Sequence, residues 1–328
     1  MSVSPDDDIV GTGHRPVMAD EVVRELVIDP DGIYFDATVG GGGHAELILE
    51  HLNIAGRLTA VDRDPRAVAH AGQRLARFGE RVVIRHADYR TLADVLLATG
   101  AGALSGVFFD LGLCSLQLDD PARGFAYRFD GPLDLRFDTT RGQTASEWLM
   151  AAGEKHIAAA LRDYGEEQHA ARLARRIVDA RDRRGEPITT TGQLTDLIAR
   201  VTGPHGPRFG RTAARVFQAL RIVVNDELAA IPAALDTALS HLGPGGRLVV
   251  IAYHSLEDRA VKTFFVEASR VCSCPACIPQ CICGANTRGR LVHKRVLRPT
   301  PQEIARNPRS KAARMRVLER VHETATKP

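Results

Sequence analysis

Glycines and carboxylates at the ends of apolar runs are the residues of this chain whose types and spacing could do chemistry. Residues 40–43 are four consecutive glycines that follow the apolar run 33–37. Glycine lets the backbone turn tightly and approach a ligand closely, and a helix starting there offers unpaired N–H groups. Asp62 ends a second apolar run, 20 residues beyond Gly42. A carboxylate there can accept hydrogen bonds from both hydroxyls of a ribose. The pair predicts a nucleoside-containing cofactor, and a tight turn without a ligand is the alternative for the glycines alone.

A second set of residues bears on which cofactor the glycine turn and Asp62 would hold. NAD-dependent dehydrogenases and enzymes that use S-adenosylmethionine share the features above. The Pro-Gly-Gly turn at 244–246 leads into a strongly apolar run, and class I methyltransferases commonly carry such a turn before their fifth strand. Asp88 and Tyr89 follow the third apolar run, where Tyr89 would offer an adenine an aromatic face and Asp88 an acceptor. These features favour S-adenosylmethionine over NAD, and an NAD-dependent oxidoreductase is the alternative.

Asp110 closes the fourth apolar run, at the sheet edge where open α/β folds place reactive groups. Many enzymes that methylate an exocyclic base amine carry Asp or Asn there, followed by two prolines and an aromatic residue. This chain reads Asp110-Leu111-Gly112-Leu113 instead, so the motif alone does not predict amine methylation. Asp110 is the candidate catalytic residue, and an aspartate that only ends a strand is the alternative.

Five of the six cysteines crowd into one short segment, at Cys272, Cys274, Cys277, Cys281 and Cys283. In a cytoplasmic protein such density favours metal binding over disulfides, and four thiolates could enclose one structural zinc ion. The spacing differs from the paired arrangement usual for zinc, and one cysteine is spare. Structural zinc and a reduced or redox-active cluster therefore both stay open.

The elements that must position these residues alternate between strands and helices. Apolar runs predict strands at 33–37, 57–61, 82–85, 106–109 and 247–253, and helical spacing predicts helices at 45–52, 66–78 and 225–242. Such alternation implies a parallel sheet covered by helices on both sides. We predict an α/β fold, a class I Rossmann-like sheet of an S-adenosylmethionine-dependent methyltransferase with an inserted helical domain. Residues 1–117 and 223–328 would form the two parts of the methyltransferase domain, the second of which carries the cysteine cluster and a basic C-terminal tail. Residues 118–222 would form the insertion that recognises substrate.

Charge is distributed unevenly along the chain, although the net charge is only +3. Residues 1–140 hold 13 basic and 22 acidic residues, whereas 141–221 hold 14 and 9, and 288–320 hold 11 and 2. Local basic charge fits a nucleic acid partner, and solvated helix faces are the alternative. The sequence contains no run of apolar residues long enough to span a membrane, and its first residues include Asp6, Asp7 and Asp8. We therefore expect a cytoplasmic location.

Several strings together resemble one family, the RsmH (MraW) family, over about residues 13 to 320. The matching strings are His14-Arg15-Pro16-Val17-Met18, Asp36-Ala37-Thr38-Val39-Gly40-Gly41-Gly42-Gly43-His44, Val61-Asp62-Arg63-Asp64-Pro65, Asp110-Leu111-Gly112 through Gln117-Leu118-Asp119, Arg123-Gly124-Phe125, Asp130-Gly131-Pro132-Leu133-Asp134, Ala145-Ser146-Glu147-Trp148-Leu149, Tyr164-Gly165-Glu166-Glu167, His254-Ser255-Leu256-Glu257-Asp258-Arg259 and Asn307-Pro308-Arg309-Ser310. Their combination is far more specific than any one of them. Where the family usually has Ser-Ser-Pro, this chain has Cys114-Ser115-Leu116.

The resemblance implies S-adenosyl-L-methionine-dependent methylation of N4 of a cytosine in the decoding centre of 16S ribosomal RNA. The cofactor contacts that it implies fall on Gly42, Gly43, His44, Asp62, Tyr89, Asp110 and Gln117. Of these, His44 and Gln117 come from the resemblance alone. The partner would be 16S ribosomal RNA or the small ribosomal subunit, and the oligomeric state stays open, a homodimer included. The alternatives are a methyltransferase of the same fold acting on another RNA and a non-catalytic RNA-binding protein.

Overall fold

A computed structural model describes residues 16–183, 185–270 and 287–321 of the chain. Its strands are β1 (Ile33–Asp36), β2 (Arg57–Asp62), β3 (Val82–His86), β4 (Leu104–Asp110), β5 (Leu242–Ala252), β6 (Gly289–Leu291) and β7 (Arg314–Arg320). Its α-helices are α1 (Ala19–Leu26), α2 (Gly43–His51), α3 (Pro65–Leu75), α4 (Leu92–Thr99), α5 (Ser115–Leu118), α6 (Ala145–Ala151), α7 (Glu154–Asp163), α8 (Ala170–Val178), α9 (Thr191–Thr202), α10 (Pro207–Asn225), α11 (Glu227–His241), α12 (Ser255–Ala268) and α13 (Pro301–Arg306).

The strands in these segments form one seven-stranded sheet with the order β3-β2-β1-β4-β5-β7-β6. Strands β1 to β5 run parallel, and β7 runs antiparallel to both of its neighbours. Strands β2 and β3 follow on one side of β1, whereas β4 and β5 follow on the other, so the strand order reverses between β1 and β4. Open α/β sheets bind ligands outside the carboxyl ends of the strands at such a point. The predicted Rossmann-like α/β sheet is confirmed.

Two apolar layers cover the faces of the sheet. Phe108 and Phe109 are successive residues of β4, both are at most 1% exposed, and they point into opposite layers. Helices α1, α2 and α3 pack on the face that holds Phe108, and α4, α11 and α12 pack on the face that holds Phe109. A strand buried on both faces reads as a continuous apolar run, which is why the runs in the sequence located the strands.

The C-terminal part of the sheet differs from the prediction. Strand β5 begins at Leu242, which pairs with Leu104 before a bulge carries the chain to the pairing of Arg247 with Gly106. The predicted strand began at 247 because the bulge contains the Gly and Pro residues of the turn. Strands β6 and β7 lie in the basic segment that was predicted to be a tail, and β7 pairs with β5 over residues 314–319. The basic segment is therefore part of the sheet.

The helices between β4 and β5 pack around a hydrophobic core of their own. Helix α8 shows why they form: Leu173, Ala174 and Ile177 fall on one face at helical spacing and are buried. Thr144 caps the start of helix α6: its side chain accepts a hydrogen bond from the backbone N–H of Glu147, and the Glu147 side chain accepts one from the backbone N–H of Thr144. The predicted helical insertion is present, and its last helix, α10, runs three residues past the predicted boundary at 222.

Buried polar contacts fix the segment between α5 and α6 to the end of α10 and to the start of α3. Asn225, at the end of α10, donates to the carbonyl oxygen of Leu135 at 2.7 Å and accepts from the backbone N–H of Phe137 at 2.8 Å. Arg123 forms a buried ion pair with Asp64, the residue that caps α3, and also donates to the carbonyl of Phe137. These contacts hold the loop that follows α5 against the edge of the sheet where the carboxyl ends of the strands meet.

Candidate active site

A cavity of about 960 Å³ opens at the carboxyl ends of four parallel strands. Ala37, Asp62, Asp110 and Tyr253 lie at the ends of β1, β2, β4 and β5 and line this cavity. Parallel strands bring their carboxyl ends to one edge of the sheet, so residues distant in sequence meet there. The cavity is therefore the candidate active site.

The glycine turn forms one wall of this cavity. Gly40 has a φ of +49° and donates its N–H to Asp62 Oδ2 at 2.8 Å. Gly43 starts α2 and lies so close to Pro16 that a Cβ added to it would be 2.7 Å from Pro16 Cγ. Gly40 requires glycine because its backbone is left-handed, and Gly43 requires glycine because Pro16 approaches it closely. The turn places the N-terminus of α2 beside the cavity.

Asp62 keeps capacity to bind a ligand although both of its oxygens already have a partner. Oδ2 accepts from Gly40, and Oδ1 accepts from the backbone N–H of Asp64 at 2.9 Å. Each carboxylate oxygen has a second lone pair, and Asp62 lines the cavity. Burial raises the pKa of Asp62 to about 6, which the two backbone hydrogen bonds partly oppose. Hydroxyl donors on a ligand would supply the hydrogen bonds that this buried carboxylate lacks.

Asp36, at the end of β1, adds a second buried carboxyl group. Its Oδ1 accepts from the backbone N–H of Thr38 at 3.0 Å, and its Oδ2 has no hydrogen-bond partner among the residues that the structure describes. Burial, together with the weaker effect of the charges of Asp110 and Asp62, raises the pKa of Asp36 to about 8, although the hydrogen bond from Thr38 opposes the rise. Asp36 does not line the cavity, whereas Asp62 and Asp110 do, and these two carboxyl groups would stabilise a positively charged ligand there.

Asp110 contacts two side chains that approach it from different elements. Tyr253 donates its hydroxyl to Asp110 Oδ1 at 2.9 Å, and His44 Nδ1 lies 3.4 Å from Asp110 Oδ2. Burial raises the pKa of Asp110, and His44 and Tyr253 oppose that rise. The other ring nitrogen of His44 lies 2.9 Å from the carbonyl oxygen of Val17. Asp110 is therefore held in one orientation at the cavity wall.

Tyr89 and Gln117 line the same cavity from its other walls. Tyr89 packs edge-on against Phe109 with ring centroids 5.7 Å apart, and burial raises its pKa. Gln117 donates to Asp64 Oδ2 at 3.1 Å and accepts from the backbone N–H of Cys114 at 3.2 Å. Tyr89 thus offers an apolar ring to the cavity, while the amide of Gln117 fixes the loop after β4.

A sequence model described as the MraW methylase family matches residues 11–321. The chain belongs to the MraW methylase family. The ribosomal RNA small subunit methyltransferase H of Heliobacterium modesticaldum is 44% identical over 310 residues, which cover 94% of this chain and 98% of that protein. The protein of the same name from Thermomicrobium roseum is 46% identical over 315 residues, 96% of each chain. A solved rRNA methylase from Streptococcus thermophilus aligns over 93% of this chain and 94% of its own at 12% identity, with a TM-score of 0.42.

In this member of the MraW methylase family, six of the seven residues predicted to contact the cofactor line the cavity: Gly43, His44, Asp62, Tyr89, Asp110 and Gln117. Gly42 does not line it. With a φ of +80°, Gly42 turns the chain away and packs against Ala71 of α3, and Gly40 and Gly41 line the cavity instead. Asp88, the suggested adenine acceptor, binds the guanidinium groups of Arg63 and Arg90 and does not line the cavity.

Sequence reasoning missed a cluster of charged residues that line the cavity beside Asp110. Arg221 of α10 donates to Glu227 of α11 at 2.8 Å, and its Nη2 lies 3.5 Å from Glu257 of α12. Burial raises the pKa of Glu227, and the charge of Arg221 opposes that rise. Tyr253 was also missed, although its position at the end of β5 was a usable signal. No local pattern marked Arg221, because its partners lie on other helices.

The cysteine segment, residues 272–283, lies outside the described residues. Among the residues that are described, no group of three or more His, Cys, Asp or Glu side chains is arranged to hold a metal ion. Cys114, in the loop after β4, is a free thiol, and burial raises its pKa to about 12. No helix in the described segments is long and apolar enough to cross a membrane.

Proposed function

We propose that this protein transfers a methyl group from S-adenosyl-L-methionine to 16S ribosomal RNA, at N4 of a cytosine in the decoding centre. The names of its relatives support the class of substrate. The observation that carries the proposal is the meeting of the glycine turn, Asp62 and Asp110 in one cavity at the carboxyl edge of the sheet. The family resemblance supports the cytosine and its N4 atom. We expect the protein to act in the cytoplasm, on the RNA or on the small subunit that contains it.

The residues around the cavity fit this cofactor. Asp62 would accept hydrogen bonds from the two ribose hydroxyls, and the glycine turn leaves space for the methionine part. The carboxyl groups of Asp62 and Asp110 at the cavity wall would favour a ligand that carries a sulfonium and an ammonium group. The bound cofactor supplies an electrophilic methyl group, and the protein's task is to hold the acceptor in line with it.

Asp110 is the residue proposed to act on the acceptor. The lone pair of a cytosine N4 amine is delocalised into the ring, which makes the nitrogen a poor nucleophile. A hydrogen bond from N4 to Asp110 would favour a pyramidal nitrogen with a localised lone pair. The target base must reach the cavity as a single-stranded or extruded nucleotide, because N4 is not accessible within a stacked helix.

The inserted helices carry a surface suited to the RNA backbone. Arg172, Arg175 and Arg176 are exposed on α8, on the side opposite its buried face, and none forms an ion pair within the described part of the chain. We name these three residues the α8 arginine face. Residues 118–222 are proposed to recognise substrate, with this face binding phosphates.

The basic C-terminal segment is less available for RNA than its charge suggests. Arg316 donates to Asp258 at 2.7 Å, Arg309 pairs with Asp119 at 2.6 Å, and Arg320 donates to the main-chain carbonyl of Ser240 at 2.6 Å. These side chains stabilise β7 and the cavity wall. Five cationic residues of this segment have neither an ion pair nor a side-chain hydrogen bond to described residues: Lys294, Arg295, Arg298, Arg306 and Lys311.

The experiment that tests the proposal combines cofactor binding with methyl transfer. Calorimetry should show binding of S-adenosylhomocysteine and no binding of NAD. With labelled S-adenosylmethionine, small ribosomal subunits or their RNA should gain label in N4-methylcytidine, identified by mass spectrometry of the nucleosides. Label in another nucleoside would move the proposal to a different acceptor. Retention of RNA without binding of the cofactor product would instead support a non-catalytic RNA-binding protein.

A further inference from the structure

The contacts of His44 reveal where a proton is held beside Asp110. The Nε2 atom of His44 lies 2.9 Å from the carbonyl oxygen of Val17, and a carbonyl oxygen can only accept a hydrogen bond. Nε2 therefore carries the hydrogen. In the neutral imidazole, Nδ1 then presents its lone pair to Asp110 Oδ2, which lies 3.4 Å away. A lone pair that faces an ionised carboxylate repels it, so the contact becomes favourable when one proton is added between the two groups.

We propose that Asp110 and His44 act as one unit that accepts the proton released by the amine during methyl transfer, and that Tyr253 positions Asp110 for this step. The inference rests on the proposed function and assigns His44 a role beyond contact with the cofactor. Asp110 would touch the acceptor amine. His44 acts through Asp110, which makes it a positioning and proton-holding residue.

The other groups around Asp110 and His44 leave the contact between Asp110 Oδ2 and His44 Nδ1 free to take a proton. The His44 ring packs on the apolar ring of Phe108, with centroids 4.8 Å apart. Tyr253 already donates to Asp110 Oδ1 at 2.9 Å. The charged groups that face the pair are the carboxyl groups of Asp36 on β1 and Glu257 on α12, and Glu303 of α13 faces Tyr253. Further negative charges near the pair favour its protonated form.

The atoms and charges of the step balance. The methyl carbon–sulfur bond breaks and its electron pair stays on sulfur, which becomes a neutral thioether. The lone pair of N4 forms the new bond to the methyl carbon, and the nitrogen then carries a positive charge and two protons. One of these protons passes to Asp110 Oδ2 and is shared with His44 Nδ1. The methylated base leaves uncharged, and the pair returns its proton to water after product release.

The test measures the single-turnover rate of methyl transfer against pH for the wild type and for H44Q. The glutamine amide can keep the hydrogen bond to Val17 while it removes the nitrogen that faces Asp110. We expect the plateau rate to fall about 10²-fold, within the range for a general base. The acid limb of the profile should also move to lower pH, because removing one of two coupled proton sites cannot raise the pH at which the first proton binds.

Y253F is the matched control, because it removes the other hydrogen bond to Asp110 without removing a proton site of the pair. That bond lowers the pKa of Asp110, so its loss should move the acid limb to higher pH, opposite to H44Q. Calorimetry with S-adenosylhomocysteine should show a loss of affinity in H44Q that is smaller than its loss of rate, because the rate also reflects the proton step, and thermal melting should show that both variants are folded.

An acid limb that stays in place in H44Q would overturn the proposal, whatever happens to the rate. A loss of rate in H44Q matched by an equal loss of affinity would also overturn it, because His44 would then act through the cofactor alone. Failure of the proposed function is distinguishable, since the wild type itself would then transfer no methyl group to the RNA.

Discussion

Replacement of Gly43 by alanine tests whether the glycine turn is built as the structure shows. An ideal Cβ at this position would lie 2.7 Å from Pro16 Cγ, roughly 0.7 Å closer than an ordinary contact, and a proline ring cannot rotate away. Overpacking of this kind costs about 1–3 kcal/mol. Alanine in a helix gains up to about 1 kcal/mol over glycine, and less at the first position. The net loss is therefore about 1–2 kcal/mol.

Two other glycines provide matched controls for this substitution. A Cβ on Gly41 would meet Leu116 and His70 at 3.8 and 3.9 Å, which are ordinary contacts, and a Cβ on Gly72 within α3 would meet nothing within 4 Å. G41A should therefore melt close to the wild type. G72A should be more stable by about 0.4–1 kcal/mol, with unchanged affinity for the cofactor product.

The assay is thermal melting of the three variants beside calorimetry with S-adenosylhomocysteine. G43A should melt below the wild type and bind the ligand about 5- to 30-fold more weakly, since about 1–2 kcal/mol of strain falls on the cavity wall. A G43A protein with wild-type melting and affinity would refute the reasoning. It would mean that Pro16 is not held in contact with Gly43.

Three further outcomes are expected. R123A removes one partner of a buried ion pair and leaves Asp64 uncompensated, so chemical denaturation should show a loss of about 3–5 kcal/mol; a loss below about 1 kcal/mol would contradict this. Replacing the α8 arginine face by glutamines should reduce the slope of log affinity for RNA against log salt by about 2, with cofactor affinity unchanged; an unchanged slope would exclude phosphate binding there. The ligand-free protein should lose stability as pH rises from 5 to 9. The pKa values of Asp62 and Asp36 are raised to about 6 and about 8, whereas the unfolded chain ionises near 4, so the folded state holds more protons across this range. D36N should flatten the decline seen by melting, and an equally steep decline would show that Asp36 is not responsible.

Local patterns in the sequence were sufficient to locate the glycine turn and the two strand-end carboxylates that line the cavity. Gly40 donates to Asp62 because the turn after β1 and the end of β2 are neighbouring parts of one β-α-β unit. A carboxylate at the end of a buried strand is visible in sequence as a polar residue after an apolar run. The same reasoning found Asp110 at the end of β4.

Long-range pairing hid other parts of the fold from sequence reasoning. Strand β7 carries charged side chains at four of its seven positions, and its pairing with β5 is what makes it a strand. The start of β5 was misplaced because the bulge between Leu104 and Gly106 depends on two strands at once. Gly42 is one of four consecutive glycines, so the sequence does not distinguish it from the others. Only its contact with α3 shows that it faces away from the cavity that its neighbours line.

The sequence by itself determined the α/β sheet, the glycine turn, the strand-end carboxylates and the family, because each is written in short-range patterns or in matching strings. Only the tertiary structure decided what surrounds Asp110. His44 approaches from α2 and Tyr253 from the end of β5, 143 residues beyond Asp110. The physical reason is that hydrogen bonds and charge interactions act over a few ångströms in space. A residue's proton affinity therefore depends on neighbours that chain folding supplies.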